Sequence, residues 1–324
     1  HKKLWGPSIQ LYTLRTQHNW GIGDFGDLKQ LVSDIASRGG DFIGLNPIHS
    51  LFPANPEGAS PYSPSSRRWL NIMYIDVSSV PEFALSAEAQ QRVGSAEFQQ
   101  RLQKARDSHW VNYTEVSQLK MSVLPLLFSE FKARHLDKNT DRARAFLDFV
   151  EKGGDSLLHQ ASFDALHADL HAEDANMWGW PVFPEKYRTF DAAGTQKYIK
   201  DNQDRVHLYM YLQWIADDQI KEAQALAEEK GMAVGLYRDL AVGVADSGSE
   251  TWADEGALVL DASIGAPPDV LGPLGQNWGL PPLNPQVLEA TGYDAYIKLL
   301  RANMKHCGAL RIDHVLGLLR LWWI

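Results

Sequence analysis

Residues 27–49, DLKQLVSDIASRGGDFIGLNPIH, predict a helix followed directly by a buried strand. Apolar residues recur at helical spacing over residues 28–35. Gly39 and Gly40 end the helix, because glycine readily takes the left-handed conformation of a C-cap. The continuous apolar run at residues 42–45 is then typical of a strand in a parallel sheet.

The same order of helix, glycine, strand and polar residue recurs at residues 215–240 and 293–314, and SIQLYTL at residues 8–14 provides an earlier strand. Strands that alternate with helices favour a parallel sheet, and polar residues at strand ends are typical of the active face of a (β/α)8 barrel. About four such strands are present, so we predict an α/β fold that holds the first half of a TIM barrel. A doubly wound sheet is the alternative, but its glycine-rich dinucleotide fingerprint is not found.

Strand positions place polar groups at one edge of this sheet. In the second unit we predict the strand at residues 232–236, with Asp239 at its end. In GALRIDHVLG, residues 308–317, Arg311 and Asp313 are two places apart on a strand that we expect to be buried. They should therefore stand side by side on one face.

Residues 81–202 are charged and mainly helical in pattern, and we interpret them as an inserted helical subdomain. Residues 1–80 and 203–324 would then form the half barrel. Of the histidines in the insertion, His167 and His171 are four apart on one helical face. Because no HExxH pattern accompanies them, we expect a solvated face rather than a metal site.

Composition excludes several classes of protein. The net charge is −9 and the basic residues are scattered, which argues against a nucleic-acid partner. No run approaches the length of a membrane span, and no signal-peptide apolar region is present. The single cysteine fits a reducing compartment such as the cytoplasm. Because the chain starts without methionine and stops within an apolar run, we expect a piece of a longer protein.

Many of the 34 aromatic residues, 11 Trp, 11 Tyr and 12 Phe, lie in loops rich in glycine and proline. Loop aromatics suit half-apolar ligands such as sugar rings. The alternative is packing beneath long loops.

Four stretches together resemble the amylomaltases, or 4-α-glucanotransferases, of glycoside hydrolase family 77 in the α-amylase clan. They are SIQLYTLRTQHNWGIGDFGDL (8–28), LNPIHSLFPANPEGASPYSPSSRRWLNIMYIDV (45–77), GAPPDVLGPLGQNWGLPPLNP (265–285) and LRIDHVLG (310–317). The resemblance implies a (β/α)8 barrel that acts on maltodextrins. It implies no metal and no cofactor, since no Asp/Asn-rich cation loop is present.

The resemblance also implies roles for individual residues. Asp313 would be the nucleophile of a retaining transfer, Arg311 would keep it ionised, and His314 would donate to a sugar hydroxyl. Asp239 would contact and support the substrate. The acid/base glutamate would follow Ile324. The alternative for Arg311 and Asp313 is an ion pair that only stabilises the barrel.

Other residues would bind the sugar. Tyr62 would line the donor site, with Ser60 and Asn46 near it in sequence, although a plain turn at Ser60 is the alternative. Trp278 would stack on a glucose ring from a stiff lid loop at residues 265–285, and the alternative is a buried Trp that closes the loop. A transferase is favoured over an α-amylase-like hydrolase because a lid would keep water from the glycosyl-enzyme. A non-catalytic maltodextrin-binding module is the third hypothesis.

Overall fold

The computed structural model describes residues 3–254, 256–270 and 272–324, so His1, Lys2, Glu255 and Leu271 of the predicted segments lie outside the described residues. Nine strands are found within these ranges: β1 Ser8–Ile9, β2 Phe42–Leu45, β3 His49–Ser50, β4 Ser66–Leu70, β5 Gly235–Leu240, β6 Ile264–Ala266, β7 Gln276–Leu280, β8 Ala309–Ile312 and β9 Trp322–Trp323. The α-helices there are α1 Phe25–Ser37, α2 Ala87–Gly94, α3 Ala96–Asp107, α4 Tyr113–Arg134, α5 Asp141–Glu173, α6 Ala193–Asp201, α7 Gln203–Glu229, α8 Ser249–Trp252, α9 Pro285–Ala290 and α10 Asp294–Asn303.

A four-stranded parallel sheet forms the centre of the fold, in the order β1-β2-β5-β8. The strands follow chain order without the reversal that defines a doubly wound sheet. Helices α1, α7 and α10 each precede the next strand of the sheet. The predicted α/β fold with the first half of a (β/α)8 barrel is therefore confirmed, and the doubly wound alternative is wrong.

Helix α1 ends where its sequence predicts but begins at Phe25, two residues before the predicted segment. The side chain of Asp24 accepts the backbone N–H of Asp27, and the side chain of Asp27 accepts that of Asp24, which forms a capping box. Gly39 follows the helix with φ of 78°, as a left-handed cap requires. The helix buries Phe25, Leu28 and Val32 against the core.

The strand predicted at residues 232–236 is displaced in the structure. The strand β5 begins only at Gly235, which has φ of 76°, and Asp239 is its second-last residue. Met232 is buried, as a strand residue would be, but its N–H donates to Ala227 O and so completes the end of α7. The predicted strand began too early because an apolar, buried residue at a helix end has the same sequence pattern as the start of a strand.

The strand β8 is also less buried than predicted. Ala309 and Arg311 are exposed, whereas Leu310 and Ile312 are half-buried. In the described part of the chain β8 pairs only with β5, so it forms one edge of the sheet. An edge strand lacks the second neighbour that would cover it.

Helices α2 to α6 occupy residues 87–201 and pack onto the same core as the sheet. Phe98, Phe131 and Phe146 belong to one apolar cluster with Ile43 of β2 and Leu236 of β5. The helix α5 is interrupted at Gly154, where φ is 52° and ψ is −146°. The division of the chain at residues 81 and 202 stays a prediction.

The histidine face that we expected to be solvated is partly buried. His167 has 0% of its surface exposed, and its ring nitrogen Nε2 lies 2.8 Å from Met177 O. Burial is the main cause that lowers the pKa of His167 to about 4. Its imidazole is therefore neutral and part of the packing between α5 and the segment that follows it.

None of the helices in the described ranges is long and apolar enough to span a membrane.

Candidate active site

Arg311 joins two carboxylates at the ends of neighbouring strands. Its Nη1 donates to both oxygens of Asp239 at 2.7 Å, and its Nη2 donates to Asp313 Oδ1 at 2.8 Å. Asp239 and Arg311 are register partners in the pairing of β5 with β8. The sequence predicts the contact between Arg311 and Asp313, but it does not reveal the bond to Asp239, since that pair is 72 residues apart.

Exposure differs strongly among these three side chains. Asp239 is 6% exposed, Asp313 is 30% exposed and Arg311 is 46% exposed. Burial raises the pKa of Asp239 above its usual value, and the hydrogen bonds from Arg311 act in the opposite direction. The hydrogen bond to Asp239 in turn raises the pKa of Arg311. The guanidinium is therefore firmly charged and fixed against the inner carboxylate.

Asp313 keeps one oxygen available. Its Oδ1 accepts from Arg311, whereas its Oδ2 has no hydrogen-bond partner among the described residues. The residue follows β8 directly and lines a cavity of about 460 Å³. A carboxylate held through one oxygen and open at the other can act as a nucleophile.

Aromatic and apolar side chains form the rest of this cavity. Its lining residues are Tyr62, Ser63, Val242, Trp278, Leu280, Asp313 and His314. The rings of Trp278 and His314 meet edge to face with centroids 5.3 Å apart. Four predicted site residues, Tyr62, Trp278, Asp313 and His314, therefore meet in one place although they are far apart in sequence.

The predicted lid at residues 265–285 forms a β-hairpin rather than an irregular loop. Strands β6 and β7 pair antiparallel, and β9 pairs with the other side of β6. Gly275 and Gly279 have φ of 71° and 68°, so both need the freedom of glycine. The hairpin carries Trp278 to the cavity wall, where its indole Nε1 donates to Gln276 Oε1 at 3.0 Å.

Three predicted substrate-binding residues, Asn46, Ser60 and Asp239, do not line the cavity, and both oxygens of Asp239 are instead bonded to Arg311. Asn46 is 3% exposed, and its side chain bonds to Leu11 N at 2.8 Å and Pro47 O at 2.8 Å, so it fastens β1 to the end of β2. Ser60 is exposed, and its Oγ accepts from Tyr62 N at 3.4 Å. That contact is the local turn that we stated as the alternative for this segment.

Sequence reasoning missed two buried side chains that fix the backbone after β5. Arg67 donates to Ala241 O at 3.0 Å and to Val242 O at 2.9 Å. His49 accepts the N–H of Ala241 at 3.1 Å through Nε2, and burial lowers its pKa far enough to keep it a neutral acceptor. Together they hold Val242 at the cavity wall, and neither residue has a local signal for this role.

A metal centre needs several ligands at one point. Within residues 3–254, 256–270 and 272–324, no group of three or more His, Cys, Asp or Glu side chains could hold a metal ion.

Comparison with known proteins places this geometry in a family. The sequence profile described as 4-α-glucanotransferase matches residues 9–324. A 4-α-glucanotransferase of Haemophilus influenzae is 42% identical over 328 aligned positions, which cover 100% of this chain and 47% of that protein. One from Mycobacterium tuberculosis H37Rv is 34% identical, with 100% and 44% covered. The chain thus spans about half the length of these curated relatives.

Solved structures agree with this assignment. The crystal structure of amylomaltase from Corynebacterium glutamicum superposes with a TM-score of 0.82 at 34% identity, covering 98% of this chain and 41% of that one. Amylomaltase from Streptococcus agalactiae in complex with acarbose has the same fold, with a TM-score of 0.77 at 22% identity over 100% of this chain and 61% of its own. The chain therefore belongs to the 4-α-glucanotransferase family.

Proposed function

We propose that the protein is a 4-α-glucanotransferase that cuts a maltodextrin and passes the donor segment to the 4-hydroxyl of another maltodextrin or of glucose. The observation that carries this proposal is Asp313, which lines the same cavity as Trp278 and has one oxygen held by Arg311 and the other without a hydrogen-bond partner among the described residues. Family membership supports the same reaction class.

The first step forms a covalent intermediate. Asp313 Oδ2 attacks the anomeric carbon, and the glycosidic bond to the leaving 4-oxygen breaks. Arg311 keeps Asp313 ionised, since a guanidinium at hydrogen-bond distance favours the charged carboxylate. His314, which lines the same cavity, would bind a sugar hydroxyl.

Proton transfer needs a second carboxylate. Asp313 is the one carboxylate among the described residues that line the cavity, and both oxygens of Asp239 are bonded to Arg311. A retaining enzyme uses its acid/base to protonate the leaving oxygen and then to activate the acceptor. We assign this role to a glutamate that follows residue 324, as the resemblance implies.

The lid supports transfer over hydrolysis. The hairpin that carries Trp278 covers one side of the cavity, and a sugar stacked on the indole would limit the access of water to the intermediate. We include in the proposal a cytoplasmic location and no nucleic-acid partner, supported by the single cysteine and the net charge of −9.

The test is to incubate the purified protein with maltotriose and to separate the products over time. Transfer gives glucose and a ladder of longer maltodextrins. Glucose and maltose alone would show a hydrolase, and binding without turnover would show a maltodextrin-binding module; either result overturns the proposal. Trp278→Ala should raise the hydrolysed share of product about fivefold, whereas Trp110→Ala, an exposed tryptophan outside the cavity, should not.

A further inference from the structure

A second cleft lies among β4, α5, α7 and α10. It consists of two adjoining cavities of about 470 Å³ each, and both are lined by Arg68, Trp69, Lys152, Gly153 and Lys298. It shares no described lining residue with the cavity at Asp313. A molecule bound in this cleft would therefore be separate from one bound in the cavity at Asp313.

Basic side chains dominate the cavity beside α7. Seven basic residues face three acidic ones there, in a chain whose net charge is −9. The acidic residues are Asp148, Asp217 and Asp218. Asp148 is paired with Lys152, and Asp217 is paired with His306 at 3.1 Å. Local charge of this sign and concentration attracts anions.

Two arginines in the cleft have donor groups without a partner among the described residues. The side chain of Arg68 is half-buried and makes no hydrogen bond or ion pair with a described residue, although Glu250 and Asp294 lie close enough to offset part of its charge. Arg238 is 4% exposed; its Nη1 donates to Ala302 O at 3.3 Å and to Lys305 O at 3.1 Å, and its Nη2 donates to Asn303 Oδ1 at 3.4 Å, while its Nε has no partner among the described residues. A guanidinium that is partly buried without a hydrogen-bonded carboxylate is costly, so an anion in the cleft would stabilise Arg68 above all.

The interruption of α5 adds backbone donors to the same cleft. After Gly154 the helix restarts and continues to Glu173, and residues 153–156 line the cavity. The first N–H groups of a helix have no partner within it and favour negative charge. A phosphate group suits a helix start flanked by Lys152 and Arg68.

Aromatic side chains flank the basic groups. Trp69 and Phe149 are half-buried, with ring centroids 6.2 Å apart in an edge-to-face arrangement. Trp69 Nε1 donates to Ser156 O at 3.1 Å and to Ser156 Oγ at 3.0 Å, which fixes the plane of the indole. A fixed indole beside a cationic site can stack on a sugar ring that carries a phosphate.

We propose that this cleft binds a phosphorylated sugar, with Arg68 and Lys298 at the phosphate and Trp69 against the ring. The ligand binds outside the reaction cavity, and the proposal does not depend on the transferase activity.

Calorimetric titration of the full-length protein with glucose 1-phosphate, inorganic phosphate and glucose tests the proposal. Glucose 1-phosphate should bind saturably and inorganic phosphate more weakly. Glucose, a proposed acceptor in the reaction cavity, should show no binding that the cleft variants change. Arg68→Gln and Lys298→Gln should each weaken binding about tenfold by removing a charged donor. Lys197→Gln is the matched control. Lys197 is exposed and forms an ion pair with Asp201 of its own helix, as Lys298 does with Asp294.

Three results would overturn the proposal. They are no saturable binding of glucose 1-phosphate, binding that the two cleft variants leave unchanged, and displacement by saturating maltotriose, which would place the ligand in the reaction cavity. If inorganic phosphate bound as tightly as glucose 1-phosphate, the proposed contact between Trp69 and the sugar ring would be wrong. Lys298 is exposed, so its variant keeps the test decisive if Arg68→Gln fails to fold.

Discussion

Two of the arginine–carboxylate sites among the described residues differ in whether they leave a carboxylate oxygen free. Between the helices, Glu82 is 0% exposed, and its Oε2 accepts from Arg142 at 2.8 Å and from Tyr211 at 2.7 Å, while its Oε1 accepts from Arg142 Nε. At the strand ends, Asp313 is 30% exposed, and Arg311 bonds to one of its oxygens.

This contrast separates a structural ion pair from a reactive one. Arg142 also lies over the Trp214 ring at 4.7 Å and the Phe131 ring at 5.7 Å, and the carboxylate that it binds is fully buried. A fully buried carboxylate with both oxygens engaged stabilises packing but cannot attack a substrate, whereas Asp313 retains an accessible oxygen. The mere presence of an Arg–Asp pair therefore does not identify a catalytic site.

The largest expected effect is on turnover by Asp313→Asn. The amide keeps a group that can accept from Arg311 but removes the nucleophile, so we expect kcat to fall about 10⁴-fold or more. Affinity for maltodextrin, measured by calorimetry, should stay within about tenfold because the cavity walls are unchanged. Substantial remaining turnover would exclude Asp313 as the nucleophile and would make the two ion pairs equivalent.

Changing arginine to lysine at each site should give opposite results. Arg311→Lys loses the forked contact that spans two carboxylates, so kcat/KM should fall about 100-fold. Its urea midpoint should fall by less than that of the buried-site variant, since Arg311 is 46% exposed and water can reach the guanidinium side of the pair with Asp239.

Arg142→Lys is the matched substitution at the buried site. It leaves Glu82 with fewer donors, so the free energy of unfolding should fall by about 3 kcal/mol while the kcat of the folded enzyme stays unchanged. A loss of activity without a loss of stability in this variant would contradict the division between structural and reactive pairs.

A third carboxylate, Asp164, is buried without a paired cation, so it shows how burial alone changes stability. Its Oδ2 accepts from Gln160 at 2.9 Å, its Oδ1 has no partner in the described part of the chain, and burial raises its pKa from 3.8 to about 7. As pH rises through this window the unfolded chain loses the proton first, so the free energy of unfolding falls between about pH 4 and pH 7.

Asp164→Asn should remove that dependence. The variant should gain about 2 kcal/mol over the wild type at pH 7.5 in urea unfolding, with little difference at pH 4. The opposite result is a free energy of unfolding that rises with pH more in the wild type than in the variant. That result would show that Asp164 is ionised in the folded state.

Local patterns in the sequence predict the sheet, the capped helices and the neighbours of Asp313, because periodicity and strand alternation act over a few residues. They fail where distant contacts decide the result. The strand β5 was displaced because Met232 is buried at a helix end, and the bond between Arg311 and Asp239 depends on the register of two strands. Glu82 and Arg142 are 60 residues apart, and no local pattern connects them.

The pairing of β9 with β6 has a mechanical consequence. Ser263 and Ile324 exchange two backbone hydrogen bonds of 2.9 and 2.8 Å, so the base of the Trp278 hairpin is tied to the segment that follows Asp313 and His314. An outward swing of the hairpin pulls on that segment or breaks both bonds. We therefore expect substrate entry to be coupled to the orientation of Asp313, the proposed nucleophile, and amide exchange at Ser263 and Ile324 would report how often the two bonds open.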